Sequence, residues 1–295
     1  TQADEFKTIY IVIQLKNIAD SYSSGSGIPD EVFQMVNGRI SFSDDIDLNI
    51  ETGDLVNETI ELEMNANSTI NAIELRIRKL ILGDAENKII NLTNGGQIKA
   101  IDSISIGETN GTSGELIIDD SNAEILASAD ITVGEEGKGT LTISNGRAQV
   151  DQDFIVGEGS NSEGILNISG AAFVKISRNF NVADEGTATI NYTGGTISVS
   201  GTMNVGTNGT FSMSNGSLVS EEINIDTNGN FEFNGGTIKT PLINVNGGKF
   251  VNSGGTLSSG EYNDALDSIS LMNITPLSLS GAISEHINII GDYVQ

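Results

Sequence analysis

Residues 131–146 read ITVGEEGKGTLTISNG, and the rest of the chain can be organised around them. An apolar-x-apolar triplet, Ile131-Thr132-Val133, runs into a glycine turn. A second triplet, Leu141-Thr142-Ile143, runs into an Asn-Gly turn. Alternation of this kind marks strands with one buried face, and glycine marks the points where the chain must turn sharply. Glycine density also suggests a phosphate-binding loop, but such a loop needs G-x-x-x-x-G-K-[S/T] between a strand and a helix. Here the spacing differs, two glutamates stand where phosphates would sit, and a strand follows.

The pattern recurs. The first triplet appears as LIL (80–82), ISI (104–106), ITV (131–133), FIV (154–156), FNV (180–182), MNV (203–205), INI (223–225) and INV (243–245). Steps between them are 20 to 27 residues, counted from Leu80, Ile104, Ile131, Phe154, Phe180, Met203, Ile223 and Ile243. The second triplet follows as LII (116–118), LTI (141–143), LNI (166–168), ATI (188–190), FSM (211–213) and FEF (231–233). A third short strand then carries Val150, Val174, Ile197, Leu218, Ile238 and Leu257 in turn. Three strands in so short a period describe one coil of a parallel β-solenoid, in which no coil buries its apolar face alone and neighbours share one core.

The reading therefore predicts an all-β, three-sided parallel β-helix of about nine or ten coils, roughly 45 Å long at about 4.8 Å per coil. Leu116, Leu141, Leu166, Ala188, Phe211, Phe231 and Phe250 are assigned to one inward column. Ala188 is its thin spot, and Phe211, Phe231 and Phe250 form a stacked aromatic ladder in the core. The middle residues of the first triplet are assigned outward.

Composition bounds what such a chain can do. It has 295 residues with 40 acidic and 14 basic side chains, a formal net charge of −26. That surface repels nucleic acid and anionic lipid and attracts cations. Cysteine is absent, which excludes disulfides and thiolate chemistry. No apolar run approaches the ~18 residues of a membrane helix.

The segments ITVGEEGKGTLTISNG (131–146) and FIVGEGSNSEGILNISG (154–170) resemble the V-G-x-x-G-x-G-T-L-x-I-x-x-G repeats of bacterial surface β-solenoids. Those families include autotransporter passenger domains and exosortase-sorted (PEP-CTERM) proteins. The closing INIIGDYVQ (287–295) is similar to the L-x-I-x-G-(D/N)-Y-x-Q strand common in them. The resemblance covers roughly residues 76–295. It implies an extracellular or cell-surface protein and, as in most three-sided pectate-lyase-like helices, a right hand. Members include adhesins, matrix proteins and enzymes, so it implies no single activity.

Three segments follow from this reading: an N-terminal strand in 1–20, a linker and small cap in 21–37, and the solenoid in 38–295. IPDEVFQMV (28–36) has a proline at a helix-start position and acids in the first turn, and is assigned one or two helical turns. In EFKTIYIVIQLKNIAD (5–20), Ile9, Ile11, Ile13 and Leu15 share one aliphatic face. A long apolar strand on a flexible linker needs a partner. Either it folds back as the solenoid's own first strand, or it is donated to a neighbouring copy. In the resembling families a further strand follows the GDYVQ strand, whereas this sequence stops there. Ile287, Ile289, Tyr293 and Val294 are therefore assigned as the acceptor edge.

The expected function is structural: a self-assembling, head-to-tail surface subunit whose partner is another copy. A glycan-binding adhesin or stalk is the alternative, and a polysaccharide-degrading enzyme stands third. Glycoside hydrolysis needs two carboxylates flanking one bond. The candidate groups, Asp44/Asp45/Asp47, Asp119/Asp120, Asp151/Asp153 and Glu221/Glu222, fall in different turns and do not stack in neighbouring coils. His286, the single histidine, lies in a strand pattern, so no catalytic residue is assigned. No cofactor is expected beyond calcium, for which the turn acids offer hard oxygen ligands without matching a known loop.

Overall fold

The computed structural model describes residues 77–83 and 89–258 with their side chains. It also describes the backbone of strands Phe33–Val36, Arg39–Phe42, Ile46–Asn49, Leu55–Met64, Ser68–Asn71, Glu74–Leu82, Lys88–Thr93, Ser268–Met272, Ser278–Leu279 and His286–Ile290. Among the described residues there is no helix. The chain winds into a parallel β-solenoid of about eight turns, three strands to a turn.

One coil shows how. Ile131–Val133 lies on the first face, Lys138–Ile143 on the second and Arg147–Val150 on the third. Each pairs in parallel with its counterpart one coil on: Ile131 with Phe154, Leu141 with Leu166, Ala148 with Val174. Third-face and first-face strands follow one another across a three-residue corner such as 151–153. The corner between first and second faces absorbs the variation in coil length. It spans 107–112 and 157–162 in long coils, 134–137 and 183–186 in shorter ones, and 206–208 further on.

Alternation buries one side of every strand. Leu141, Ile143, Val150, Ile131 and Val133 of this coil are all fully buried, as are their counterparts above and below. The second-face inward column runs Leu116, Leu141, Leu166, Ile190, Phe211, Phe231 and Phe250. This corrects the expected register by two residues in one coil: Ile190, not Ala188, stacks on Leu166 and fills the supposed thin spot. Ala188 instead pairs with Gly164 and Gly209, in a column where glycine is otherwise required. A Cβ on Gly139, for example, would lie 2.1 Å from the Gly134 nitrogen and 2.3 Å from the Ile106 oxygen. The triplet ATI was aligned on its apolar letters; the structure aligns INY (190–192), with Tyr192 inside.

Tyr192 is fully buried, and its hydroxyl bridges two coils. It accepts from the Ser217 N–H at 2.7 Å and lies 2.7 Å from the Gly195 carbonyl and 2.8 Å from that of Ser217. Burial pushes its pKa up to about 12, so it remains a neutral donor at any ordinary pH.

The N-terminal side differs from expectation too. Phe33–Val36 is a strand, paired antiparallel with Arg39–Phe42 from Phe33↔Phe42 to Val36↔Arg39. A helix cannot occupy those residues: alternation in VFQMV wins over the proline signal three residues earlier, because a hairpin continues the sheet. Strands at 39–42, 46–49, 55–64 and 68–71 then stack in parallel under the main array, as the pattern over 38–75 predicts. The linker at 21–27 and the strand at 5–20 lie outside the described residues.

One conformational cost is built in. The residue after the first-face strand takes a left-handed conformation and is glycine at 107, 134 and 157, but Ala183 holds the same place at φ 59°. Alanine there is strained by about 1–2 kcal/mol. Glycine's extra freedom in the unfolded chain returns part of the gain. Ala183→Gly is accordingly expected to stabilise the fold by about 0.5–1 kcal/mol in urea unfolding; a destabilised variant would contradict the assigned turn.

Candidate functional site

The assigned functional residues lie at the two ends of the chain. Ile9, Ile11, Ile13 and Leu15 fall outside the described residues, as do Tyr293 and Val294. Ile287 and Ile289 sit in the strand His286–Ile290, which pairs in parallel with Ser268–Met272, Ile287 opposite Ile269 and Ile289 opposite Leu271. His286 opposite Ser268 is part of the same strand. Among the described strands, His286–Ile290 has a neighbour on that one side and none on the other.

The core ladder is in place. Phe211, Phe231 and Phe250 are fully buried, with ring centroids 4.6 Å apart for the first pair and 5.4 Å for the second. Phe180 meets Phe211 edge-on at 6.5 Å, and Phe154 meets Phe180 at 5.5 Å, so the aromatic stack begins two coils earlier than read. This is packing, closed to any ligand.

Three of the candidate carboxylates, Asp119, Asp120 and Asp153, hold neighbouring backbone or side-chain donors. Asp153 accepts from the Asn179 N–H at 2.8 Å, and Asp130 from the Asp153 N–H at 2.9 Å, so these acids form a staircase that ties one corner to the next. Asp119 accepts from Asn145 at 3.1 Å, and Asp120 caps the Asn122 N–H at 2.8 Å. Asp44 and Asp45 lie outside the described residues. Among the described residues, no three acidic or histidine side chains converge as a metal site would require.

A different acidic row emerges at the corner between the first and second faces. Glu108, Glu135, Glu158 and Asp184 each follow the left-handed turn residue and stack on four consecutive coils. They fold back over the first face. Ser105 Oγ donates to Glu135, and Thr132 hydrogen-bonds Glu158, so these outward residues are 1% and 6% exposed rather than open. Lys79 neutralises the first acid, its Nζ 2.9 Å from Glu108 Oε1. Further along the row Glu158, half buried, has its pKa raised by burial first and then by Glu135 and Asp184; the Thr132 hydrogen bond opposes this. The signal was present in the sequence as Gly-Glu, Gly-Glu, Gly-Glu, Ala-Asp at the coil spacing. It is missed when acids are sought as local clusters rather than along the stack.

A raised folded-state pKa means that the folded chain binds the proton more tightly than the unfolded one. Stability is therefore gained as pH falls from neutral through the folded pKa towards the unfolded value near 4.5. The thermal midpoint is expected to rise on mild acidification, and Glu158→Gln to be the more stable chain at pH 7 with a smaller acid-dependent gain. A midpoint that falls from pH 7 to 5, with no difference in the variant, would remove this account.

Beside the ridge, the alternation of long and short corners leaves a notch. The corners 107–112 and 157–162 project on either side of the shorter 134–137, enclosing about 400 Å³ lined by Asn110, Thr112, Ser113, Lys138, Asn161 and Glu163. Lys138 and Glu163 are ion-paired across its floor at 2.8 Å, half exposed. The notch is polar and contains neither an activated nucleophile nor a pair of opposed carboxylates.

A search of known protein families finds no model that matches the chain, and no curated protein and no solved structure matches it.

Proposed function

We propose that the chain is a structural, extracellular or cell-surface subunit that assembles end to end. The strand at residues 5–19, with Ile9, Ile11, Ile13 and Leu15 on its apolar side, is donated to the edge formed by 286–295 of the next copy. The observation that carries this reading is the strand His286–Ile290, paired on one side alone among the described strands. Its free edge presents backbone donors and acceptors to which a further strand can add. A contact of that kind joins unlike ends of identical copies, and without closure it propagates into a filament. Support also comes from the interior. The inward columns of the described coils are buried, and Asp119, Asp120 and Asp153 are engaged in hydrogen bonds that hold turns and corners.

Electron microscopy of the purified chain tests the proposal. Filaments are expected from the full sequence and isolated rods from a variant lacking residues 1–20, with the β-rich circular dichroism unchanged. A deletion variant that still grows filaments would dismiss strand donation. The alternative, a glycan-binding stalk, is favoured by the polar notch, whose exposed Asn110 and Asn161 amides face a space large enough for a sugar ring. Glycan binding lost on replacing both asparagines with alanine, in a chain that stays as single rods, would favour it instead.

A further inference from the structure

On a chain dominated by acids, the third face is the exception. Its outward strand positions carry Lys99, Arg147, Lys175 and Lys239, against one carboxylate, Glu124, among the described residues. Arg147 Cζ lies 5.0 Å from the centroid of the Phe173 ring, a cation–π contact between neighbouring coils of this face. Lys175 and Lys239 are exposed and have no carboxylate within ion-pair distance among the described residues. Among the described residues nothing accounts for Lys175 and Lys239.

Across the prism lies the opposite charge. In a three-sided coil, the corner between the first and second faces is the vertex that faces away from the third. That vertex is the acidic ridge, whose Glu136, Asp184 and Glu185 are exposed beside the stacked Glu135 and Glu158. The basic side chains are sparser than the acids but span as many coils. From Lys99 through Leu126 and Gln149 to Lys175 is three coil steps. From Glu108 through Glu135 and Glu158 to Asp184 is also three coil steps. Each row therefore extends about 14 Å at about 4.8 Å per coil.

We infer that the third face is a lateral docking surface for a second copy of this chain, which seats its acidic ridge along the Arg147–Lys175 region so that rods pack side by side. Ridge and face lie on opposite sides of one molecule, so the contact is heterologous and open: each copy that docks presents a fresh ridge or a fresh face. The outcome is a sheet or bundle of aligned rods, independent of how the ends join. A second copy is the occupant, because every copy carries the complementary acidic ridge on the side opposite its third face.

Ionic strength and charge exchange test this. The full chain is expected to form multi-rod bundles at about 0.1 M salt, where a range of about 10 Å screens the net charge of −26 between rods but leaves close contacts, and to separate at about 1 M, where the range is about 3 Å. Lys175→Glu with Lys239→Glu should remain as single-width rods or filaments at the lower salt, and so should Glu136→Lys with Asp184→Lys and Glu185→Lys. An equimolar mixture of the two variants should bundle again, because each now carries the charge that the other's surface requires. The milder Lys175→Gln with Lys239→Gln, with an unchanged circular dichroism spectrum, separates lost docking from lost folding and should also reduce bundling.

Bundle width is the readout, and filament length is scored separately. A variant lacking residues 1–20 is expected to bundle as rods even if it no longer elongates, so failure of end-to-end joining does not decide this test. Wild-type rods that stay single at the lower salt, salt-insensitive bundles, reversal variants that bundle as before, or a mixture that fails to recover would each overturn the proposal. Single rods retained on a sulphated-dextran matrix through Lys175 and Lys239 would overturn it as well and assign the face to an acidic polymer.

Discussion

Replacing Phe231 with alanine is expected to cost about 3–5 kcal/mol, the range for removing a fully buried phenylalanine from a close-packed core. Its ring is enclosed by Phe211 at 4.6 Å and Phe250 at 5.4 Å, and the side chain has no exposed surface. The neighbours cannot collapse into the space, because each is carried by a strand held in parallel register: Phe211 with Phe231, and Phe231 with Phe250. The cavity therefore persists. In a solenoid each coil touches only its neighbours, so the loss should also be local. Hydrogen exchange should show protection falling first over 209–252, with the coils around 131–168 retaining theirs. A loss below about 1 kcal/mol in urea unfolding would mean that the aromatic column is not a close-packed stack.

Valine at Gly134 is expected to be comparably severe, about 4 kcal/mol or more, for a backbone reason rather than a cavity. Gly134 sits at φ +76°, where a β-branched residue is a steric outlier. A Cβ there would stand 2.7 Å from the Glu163 carbonyl oxygen and 2.8 Å from its carbon, which belong to the next coil. The Gly134 N–H also donates to Ile106 at 2.7 Å, so the residue cannot move away without breaking the stack. Alanine should cost less, because it meets the same Cβ contact and the same positive φ but carries no β-branch. The comparison of the two variants by urea unfolding separates the cost of the β-branch from that of the Cβ itself. Equal effects would put the whole cost in the Cβ contact and the left-handed turn.

Both predictions rest on features that were visible before any coordinates. The triplets that mark the first face, the glycine after most of them, and the phenylalanines at 211, 231 and 250 recur at steps of about one coil, and the structure stacks them coil on coil. Register within a coil was harder to read. ATI and INY both offer an apolar-x-apolar match over 188–192, and a shift of two residues preserves which side faces inward. Alternation alone cannot tell them apart. Hydrogen bonding across coils decides it, because only one alignment sets Leu166 opposite Ile190 and leaves Ala188 against Gly164.

The short apolar segment at 33–36 shows another limit. Proline and acids near a helix start are local signals, whereas a strand's partner is distant in sequence or across a turn. The pairing of Phe33–Val36 with Arg39–Phe42 outweighs the local preference because it satisfies backbone groups that a lone helical turn would leave to water.

The sequence by itself determined the class of this protein: a three-stranded coil repeated along one axis, an aliphatic core that turns aromatic, and an acidic exterior. Periodicity carries that information because every coil must solve the same packing problem. Only the tertiary structure decided which outward residues stand together. Glu108, Glu135, Glu158 and Asp184 are more than twenty residues apart in the chain yet one coil apart in space. Lys99 and Lys175 come into one column three coils apart, with Leu126 and Gln149 between them, on a face whose described outward strand positions carry one acid. Stacking turns a scattered set of charges into a ridge on one side and a basic stripe on the other, and a count of charges along the sequence contains neither.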